Sequence, residues 1–388
     1  MNTSSTVQSA QRSDWKSAIQ ASMVLTIGMG FGRFAFTAIY PHMVDEGVLS
    51  LRGGSLAASA NYAGYLLGAL LAVRLRAHKA HWFCQLSTLG TALCLAVLAL
   101  LTSTGAIVAV RGVAGLFSAL SMVAASLWLL EHRGHSWGAP LLYAGVGVGI
   151  ALSAELLVVA ESFGLASAGM WLILGFAALI MGLAAAPAFL TGDRGNNTRQ
   201  GLRETTPSNT DTTVVAAWPL VLIYGLAGLG YIVTATYLPT LVKTAFPDLD
   251  PAHVWAVFGL GAAPSCYLWH RAHERLGTRH TLRLNLIVQA CGVALPVVLD
   301  SGAGYLLSAL LVGGTFMGTV TIAMPAAQRA ARQSGANLLA TMTLAYGLGQ
   351  IIGPLLADSL YALSHTFASA LLSAAVALVI ATLISLRL

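Results

Sequence analysis

Two arginines and two carboxylates lie within long apolar stretches of this sequence: Arg33, Arg111, Glu155 and Asp358. On insertion scales, a charged side chain at the centre of a bilayer costs about 2.5–3.5 kcal/mol, so such a residue faces protein or water and has a partner. A guanidinium group offers a bidentate fork to carboxylates. Arg33 is therefore a candidate anchor for an anionic ligand, and a structural ion pair is the alternative. For Arg111 the alternative to a functional role is a packing or ion-pair role.

The depth of these residues predicts a shared polar network. At a rise of about 1.5 Å per residue, Arg33, Asn61, Arg111 and Glu155 fall in the same half of the membrane thickness. A single acid between two arginines would leave one positive charge uncompensated, and an anionic substrate could meet it. The other candidate ligand-binding residues are polar or aromatic: Tyr62, Tyr143, Tyr231, Tyr237, Tyr346 and Gln350.

Glu155 and Asp358 are the carboxylates that lie well inside apolar stretches. A carboxylate isolated in apolar surroundings can take up and release protons near neutral pH. We therefore interpret both as candidate proton-coupling residues. An arginine neighbour would oppose this role at Glu155, and snorkelling to water is the alternative for Asp358.

The composition predicts the elements that position these residues. The chain is 57% hydrophobic and 9% charged, whereas soluble domains are about 25% charged. A membrane-spanning helix needs about 20 apolar residues. That rule predicts an all-α membrane protein of twelve transmembrane helices: 17–42, 52–76, 80–102, 105–130, 137–161, 166–190, 214–243, 252–271, 281–299, 302–328, 335–361 and 364–386.

The polar residues between the predicted spans indicate organisation and topology. Residues 191–213 lack an apolar face, which predicts a cytoplasmic linker between two six-helix bundles at 17–190 and 214–388, after an N-terminal tail at 1–16. Most of the 20 Lys and Arg residues fall on the side of the N-terminus. The positive-inside rule then places both termini in the cytoplasm, which suits a multi-pass protein of the inner membrane. Tryptophans near span ends are predicted to form interface belts: Trp82, Trp137, Trp218 and Trp255.

Two pairs of segments repeat between the halves. In one pair, Tyr143 and Glu155 are twelve residues apart, as are Tyr346 and Asp358. GRFAFTAIYP at 32–41 matches GYIVTATYLP at 230–239, and this match pairs Arg33 with Tyr231. Weak internal symmetry of this kind is typical of secondary transporters, whose site lies between the repeats. Glycines at 145, 147, 149, 347, 349 and 353 imitate nucleotide-binding loops but lie inside apolar spans. We interpret them as close helix packing at a gating seam, where Pro354 supplies a bend.

Four motifs carry a family resemblance: GFGRFAFTAIYPHM at 30–43, SLAASANYAGYLLGA at 55–69, GLGYIVTATYLP at 228–239 and YGLGQIIGP at 346–354. By these motifs the chain resembles the major facilitator superfamily, and more narrowly its YbfB/YjiJ-type branch. RGVAG at 111–115 is similar to the fourth-helix signature, whereas Val73 stands where the loop after the second span normally has an Asp. The resemblance implies two pseudo-symmetric six-helix bundles and solute transport by alternating access.

These observations together predict a secondary active transporter of a small polar, anionic organic solute, with protons as the candidate coupling ion. The alternative is a proton-coupled exporter of hydrophobic or cationic drugs. An enzyme is not expected, because the best histidine cluster, EHRGH at 131–135, has no second cluster to complete a site. We expect a monomer in the lipid bilayer that binds a small-molecule substrate, with no cofactor, no metal ion and no nucleic acid, since no basic stripe is present.

Overall fold

The computed structural model describes residues 15–135, 138–190, 217–246, 250–334 and 338–388. Every regular element within these ranges is helical, as the composition predicts. The predicted linker at 191–213, nearly all of the predicted tail and Trp137 lie outside the described residues.

Within the described ranges, twelve helical segments of 17 or more residues follow one another. They are α1 Trp15–Asp45, α2 Leu51–Ala72, α3 Ala80–Leu98, α4 Thr104–Ser126, α5 Ala139–Ser162, α6 Ser167–Leu190, α7 Ala217–Ala245, α8 251–276, α9 278–298, α10 Gly302–Ser334, α11 Leu338–Ser364 and α12 Ala368–Ile384. Ten helices within the described residues are long and apolar enough to span a membrane, and one of these is the 48-residue run that contains both α8 and α9. Since α2 is outside that set, the count of twelve spans stays a prediction.

The junction between α8 and α9 differs from the sequence prediction. A polar loop was expected between 271 and 281, but the helices run on to either side of a single residue, Gly277, whose φ is 74° and ψ 171°. Glycine reaches this positive-φ region at little cost. The break is therefore confined to one residue, because the charged residues before it are compatible with a helix.

Helix α1 occupies the centre of the N-terminal half, which we define as α1–α6. Every residue from 24 to 41 is buried, and Thr26–Phe34 forms a π-helix rather than an α-helix. Three glycines in this stretch face three different helices: Gly28 lies against α4, Gly30 against α5 and Gly32 against α3. The missing side chains let these helices approach α1 closely from three sides.

Helix α7 holds the corresponding place in the C-terminal half, α7–α12, where residues 230–239 are all buried. The two halves meet where α5 packs on α8 and α2 packs on α11. Gly147 lies against the backbone of Gly259 and Ala263, and Gly347 lies against Leu66. Close packing between the halves therefore holds for Gly147 and Gly347. The other four predicted seam glycines pack within their own half, Gly145 and Gly149 on α1 and Gly349 and Gly353 on α7.

We predict that Gly149→Ala destabilises the protein. A Cβ at this position would lie 2.7 Å from the Thr26 carbonyl oxygen and 2.9 Å from the Gly30 Cα. Backbone cannot move aside as a flexible side chain can, so we expect a loss of about 1–3 kcal/mol. Gly175→Ala is the matched control, because the nearest atom to its Cβ is 3.5 Å away. Thermal unfolding in detergent measures both, and equal midpoints would contradict the close contact between α1 and α5.

Candidate functional site

Arg33 is a buried cation at the boundary between the halves, with 3% of its surface exposed. Its Nη2 donates a hydrogen bond of 2.8 Å to Gln350 Oε1 on α11. Its Cζ lies 4.1 Å from the ring centre of Tyr65 and 5.0 Å from that of Tyr62. Among the described residues, its Nε and Nη1 have no hydrogen-bond partner and no carboxylate pairs with it. The site therefore holds a positive charge, and two nitrogens of the guanidinium group, Nε and Nη1, remain available as hydrogen-bond donors.

The C-terminal half meets Arg33 with an amide and a stack of aromatic rings. Gln350 Nε2 donates to the Tyr231 hydroxyl over 2.5 Å. The Tyr231 ring stacks on Phe316 at 5.1 Å between centroids and on Tyr346 at 5.9 Å. Arg33 and Tyr231, the matched positions of the internal repeat, are thus joined through Gln350. The structure brings these four predicted site residues, Arg33, Tyr231, Tyr346 and Gln350, into one place.

Arg111 has a different environment from Arg33. Its Nη1 and Nη2 donate to the backbone carbonyl oxygens of Gly32 and Arg33, at 2.9 and 3.1 Å, and its guanidinium lies 4.4 Å from the ring centre of Phe36. Asn61 in turn donates from Nδ2 to the Arg111 carbonyl oxygen at 2.9 Å. The geometry favours a structural role for Arg111, because two of its nitrogens bind the backbone of α1, while its buried Nε has no hydrogen-bond partner among the described residues. Asn61 has a structural contact of its own, which joins α2 to α4.

Neighbouring helices also bind other carbonyls of this part of α1. Ser118 on α4 donates to the Gly28 carbonyl oxygen at 2.6 Å, and Trp255 on α8 donates to that of Phe34 at 3.2 Å. A widened helix cannot remain in a bilayer unless its carbonyls are satisfied within the protein. The expectation that Trp255 belongs to an interface belt is wrong, because its side chain is fully buried and reaches the backbone of the other half.

Two predicted site tyrosines connect the halves. The Tyr62 hydroxyl on α2 lies 3.3 Å from Thr236 Oγ1 on α7. The Tyr237 hydroxyl donates to the Pro354 carbonyl oxygen at 3.0 Å and lies 2.7 Å from Ser55 Oγ on α2. Tyr62 borders the Arg33 site through its ring, whereas Tyr237 lies beyond that site on α7, in a contact that ties the two halves together.

Glu155 does not join the predicted network with the arginines. Its side chain is half exposed, and its Oε1 lies 3.0 Å from His253 Nδ1 on α8. The helical period explains this position. Gly149 packs against α1, and Glu155 follows it by six residues, which places Glu155 about 240° around the axis of α5 from that contact. Glu155 therefore faces away from Arg33, and the expected shared network is corrected.

Asp358 and Tyr143 also lie apart from Arg33. Asp358 is half-buried and follows Gln350 by eight residues, which is about 12 Å along α11. Its carboxylate makes no hydrogen bond or ion pair with the part of the chain that the structure describes. Tyr143 is half-buried on α5, and its hydroxyl lies 3.2 Å from Ser126 Oγ at the end of α4.

The sequence analysis missed two residues of the Arg33 site. Tyr65 makes the closest ring contact to the guanidinium, and it follows Tyr62 by three residues, so both lie on one face of α2. This spacing was the available signal. Phe316, which stacks on Tyr231, lies in an apolar stretch of α10 and carries no comparable signal.

A bundle of long apolar helices in two related halves, with a buried polar site between them, defines a transporter of the major facilitator type rather than an enzyme. The family model described as "Uncharacterised MFS-type transporter YbfB" matches residues 25–386. The chain belongs to this family of multi-pass membrane transporters, which confirms the resemblance in the sequence. No curated protein matches the chain.

A solved structure shares the fold. The crystal structure of the nucleoside transporter NupG (D323A mutant) matches with a TM-score of 0.66 and 14% sequence identity, over 95% of this chain and 99% of that one. At this identity the similarity supports the fold alone. It confirms the predicted architecture of the major facilitator superfamily.

We predict that Arg111→Lys destabilises the protein more than Arg33→Gln does. A Lys ammonium cannot hold two adjacent carbonyls in the fork geometry of a guanidinium, and hydrogen bonds to charged groups contribute about 1.5–3 kcal/mol each. We expect a loss of about 2–3 kcal/mol for Arg111→Lys. Arg33→Gln instead removes an uncompensated buried charge and should leave the unfolding midpoint unchanged or higher. The opposite order in thermal unfolding would overturn the assignment of roles.

Proposed function

We propose that this protein is a secondary active transporter of a small anionic organic solute, and that Arg33 binds the anionic group. The observation that supports this most strongly is the buried Arg33 guanidinium, whose Nε and Nη1 have no partner among the described residues. Leaving a buried charged donor unsatisfied is costly. A carboxylate or a similar oxyanion would supply both the missing charge and the missing acceptors.

The location of Arg33 supports a role in transport rather than in stability. Its side chain contacts α2 through Tyr62 and Tyr65 and α11 through Gln350, so it joins both halves at the interface where transporters of this architecture bind substrates. An anion bound here would interact with both halves at once. Its binding would therefore be sensitive to their relative position, as alternating access requires.

We infer that this conformation is closed toward the end of the bundle that holds the α1–α2 turn. Several contacts join the halves between Arg33 and that end: Asp45 with Lys243, Thr37 with Ala235, Ser55 with Tyr237, Ser59 with Ile351 and Glu155 with His253. Tyr40 and Tyr237 there are fully buried, whereas Tyr65, Tyr143 and Tyr346 on the other side are only half-buried. The site would then open toward the end that carries Trp15 and Leu388. The basic residues at that end favour a cytoplasmic location for it in the inner membrane.

Proton coupling has a structural candidate in the Glu155–His253 pair. The pair crosses from α5 to α8 and is half exposed, so protons can reach it. The pair contributes to the contact between the halves, so a change in its charge would weaken that contact. We propose that coupling acts through the contact between the halves rather than at Arg33. Asp358 is a second candidate, because its carboxylate is half-buried near the same end.

We expect Arg33→Gln to reduce anion transport. A panel of small carboxylates is first screened by thermal stabilisation of the purified protein, since a ligand of the native state raises the unfolding midpoint. Uptake of the best ligand into proteoliposomes is then measured. Loss of a charged hydrogen bond predicts about a 10–100-fold fall in affinity. The matched control is Arg52→Gln, because Arg52 is an exposed arginine on the same half. Unchanged transport in a folded Arg33→Gln protein would contradict the role of Arg33 as the anion anchor.

The drug-exporter alternative makes the opposite prediction. An exporter of cations would depend on an acid rather than on Arg33, so Glu155→Gln would abolish transport while Arg33→Ala retained it. A carrier of anions should instead lose transport in Arg33→Ala and still bind its ligand in Glu155→Gln. Thermal stabilisation by the carboxylate ligand and by a hydrophobic cation, measured on both variants, separates the two functions.

We predict that Asp45→Asn opens the closed end. Asp45 forms an ion pair with Lys243 across the halves, and the substitution removes this attraction. A cysteine placed at buried Ser55 should then react several-fold faster with an impermeant maleimide added from that end. Glu274→Gln is the control, because Glu274 pairs with His270 within the same helix. Equal labelling of the two variants would contradict a gate at Asp45.

A further inference from the structure

A groove lies between α2 and α4 at the end of the bundle that carries Trp15 and Leu388. Its volume is about 490 Å³, and the turn at Ala77–Lys79 and the start of α3 close one side. Its floor is apolar, from Leu75, Phe83, Leu116 and Leu120. The Arg33 site is elsewhere, at the boundary between the halves, so the groove is separate from the proposed transport function.

The rim of this groove is strongly basic. Arg74, Arg76, His78 and Lys79 all line it and are exposed. The sequence contains no Asp or Glu between Glu46 and Glu131, so α2, α3 and their connection supply no counter-charge. Glu131 lies in Leu127–His132, which packs against the turn, but within the described ranges no ion pair joins it to the basic rim.

The groove also borders the surface that faces the lipid tails. The missing Cβ of Gly68 lets α2 approach α4 closely, because a Cβ there would lie 2.6 Å from the Leu116 carbonyl oxygen. Beside this contact, Leu67 is 58% exposed and Leu71 69% exposed on α2, and Val113 is 48% exposed on α4. An apolar chain can therefore lie along the α2–α4 surface and end at the basic rim.

We propose that this groove binds an anionic phospholipid. The phosphodiester headgroup takes the basic rim, and an acyl chain lies on the apolar floor and the neighbouring aliphatic side chains. Basic pockets between transmembrane helices on the cytoplasmic side suit anionic headgroups, and each Lys or Arg near the surface contributes favourably to the attraction. The combination of a basic rim, an apolar floor and exposed aliphatic flanks matches a lipid, whereas free phosphate would use the rim alone.

The test compares lipids on the full-length protein purified in detergent. Unfolding midpoints are measured in mixed micelles with rising fractions of phosphatidylglycerol or phosphatidylcholine, and in parallel with inorganic phosphate. We expect saturable stabilisation by phosphatidylglycerol only. The proposal would be overturned if inorganic phosphate stabilised the protein as much as phosphatidylglycerol does, or if the two lipids had equal effects.

Paired variants locate the binding. The double variant Arg74→Gln/Lys79→Gln should weaken the apparent affinity for phosphatidylglycerol about 25-fold, because each basic residue contributes roughly fivefold to the affinity. Arg271→Gln with Arg275→Gln removes the same charge at the same end of the bundle, on α8, and should leave the affinity within about twofold of the unmodified chain. An Arg74→Lys variant keeps the charge and should retain binding. An equal loss in both double variants would show a general charge effect and would refute the groove as the site.

Discussion

The structure depends on how the backbone carbonyl groups of α1 find hydrogen-bond donors where the helix departs from α geometry. Within a bilayer no water is present to bind a freed carbonyl, so neighbouring helices must supply the donors. Arg111, Ser118 and Trp255 do so for carbonyls between Gly28 and Phe34. These donors come from both halves, so the position of α1, and with it that of Arg33, is fixed by helices on either side.

This constraint explains why two arginines of similar depth have different roles. Both are buried without a carboxylate among the described residues, but Arg111 uses two of its nitrogens on the backbone that carries Arg33. Arg33 donates a hydrogen bond from one nitrogen to Gln350 and lies against aromatic rings. The faces of these rings attract a cation without neutralising it. One arginine thus positions the other, and the second keeps its charge available to a ligand.

The sequence predicts the architecture well and the site only in part. Helix positions follow from apolar length, and the repeat of GRFAFTAIYP and GYIVTATYLP correctly pairs the central helices. Depth along a helix placed Arg33, Arg111 and Asn61 together, but depth alone does not give the direction a side chain faces, so Glu155 was grouped with them wrongly. The π-helix also escaped prediction, because no periodicity distinguishes it from an α-helix when the whole segment is buried.

The π-helical stretch of α1 has a mechanical consequence. The hydrogen-bonded loop of a π-helix contains one residue more than that of an α-helix, so movement of this extra residue along α1 would shift the segment that it passes by one position in register. One residue corresponds to about 100° of rotation about the axis, enough to carry Arg33 from one set of neighbours to another without moving the helix ends. The π-helical stretch is therefore a place where α1 can change the direction of the Arg33 side chain while its two ends stay in position.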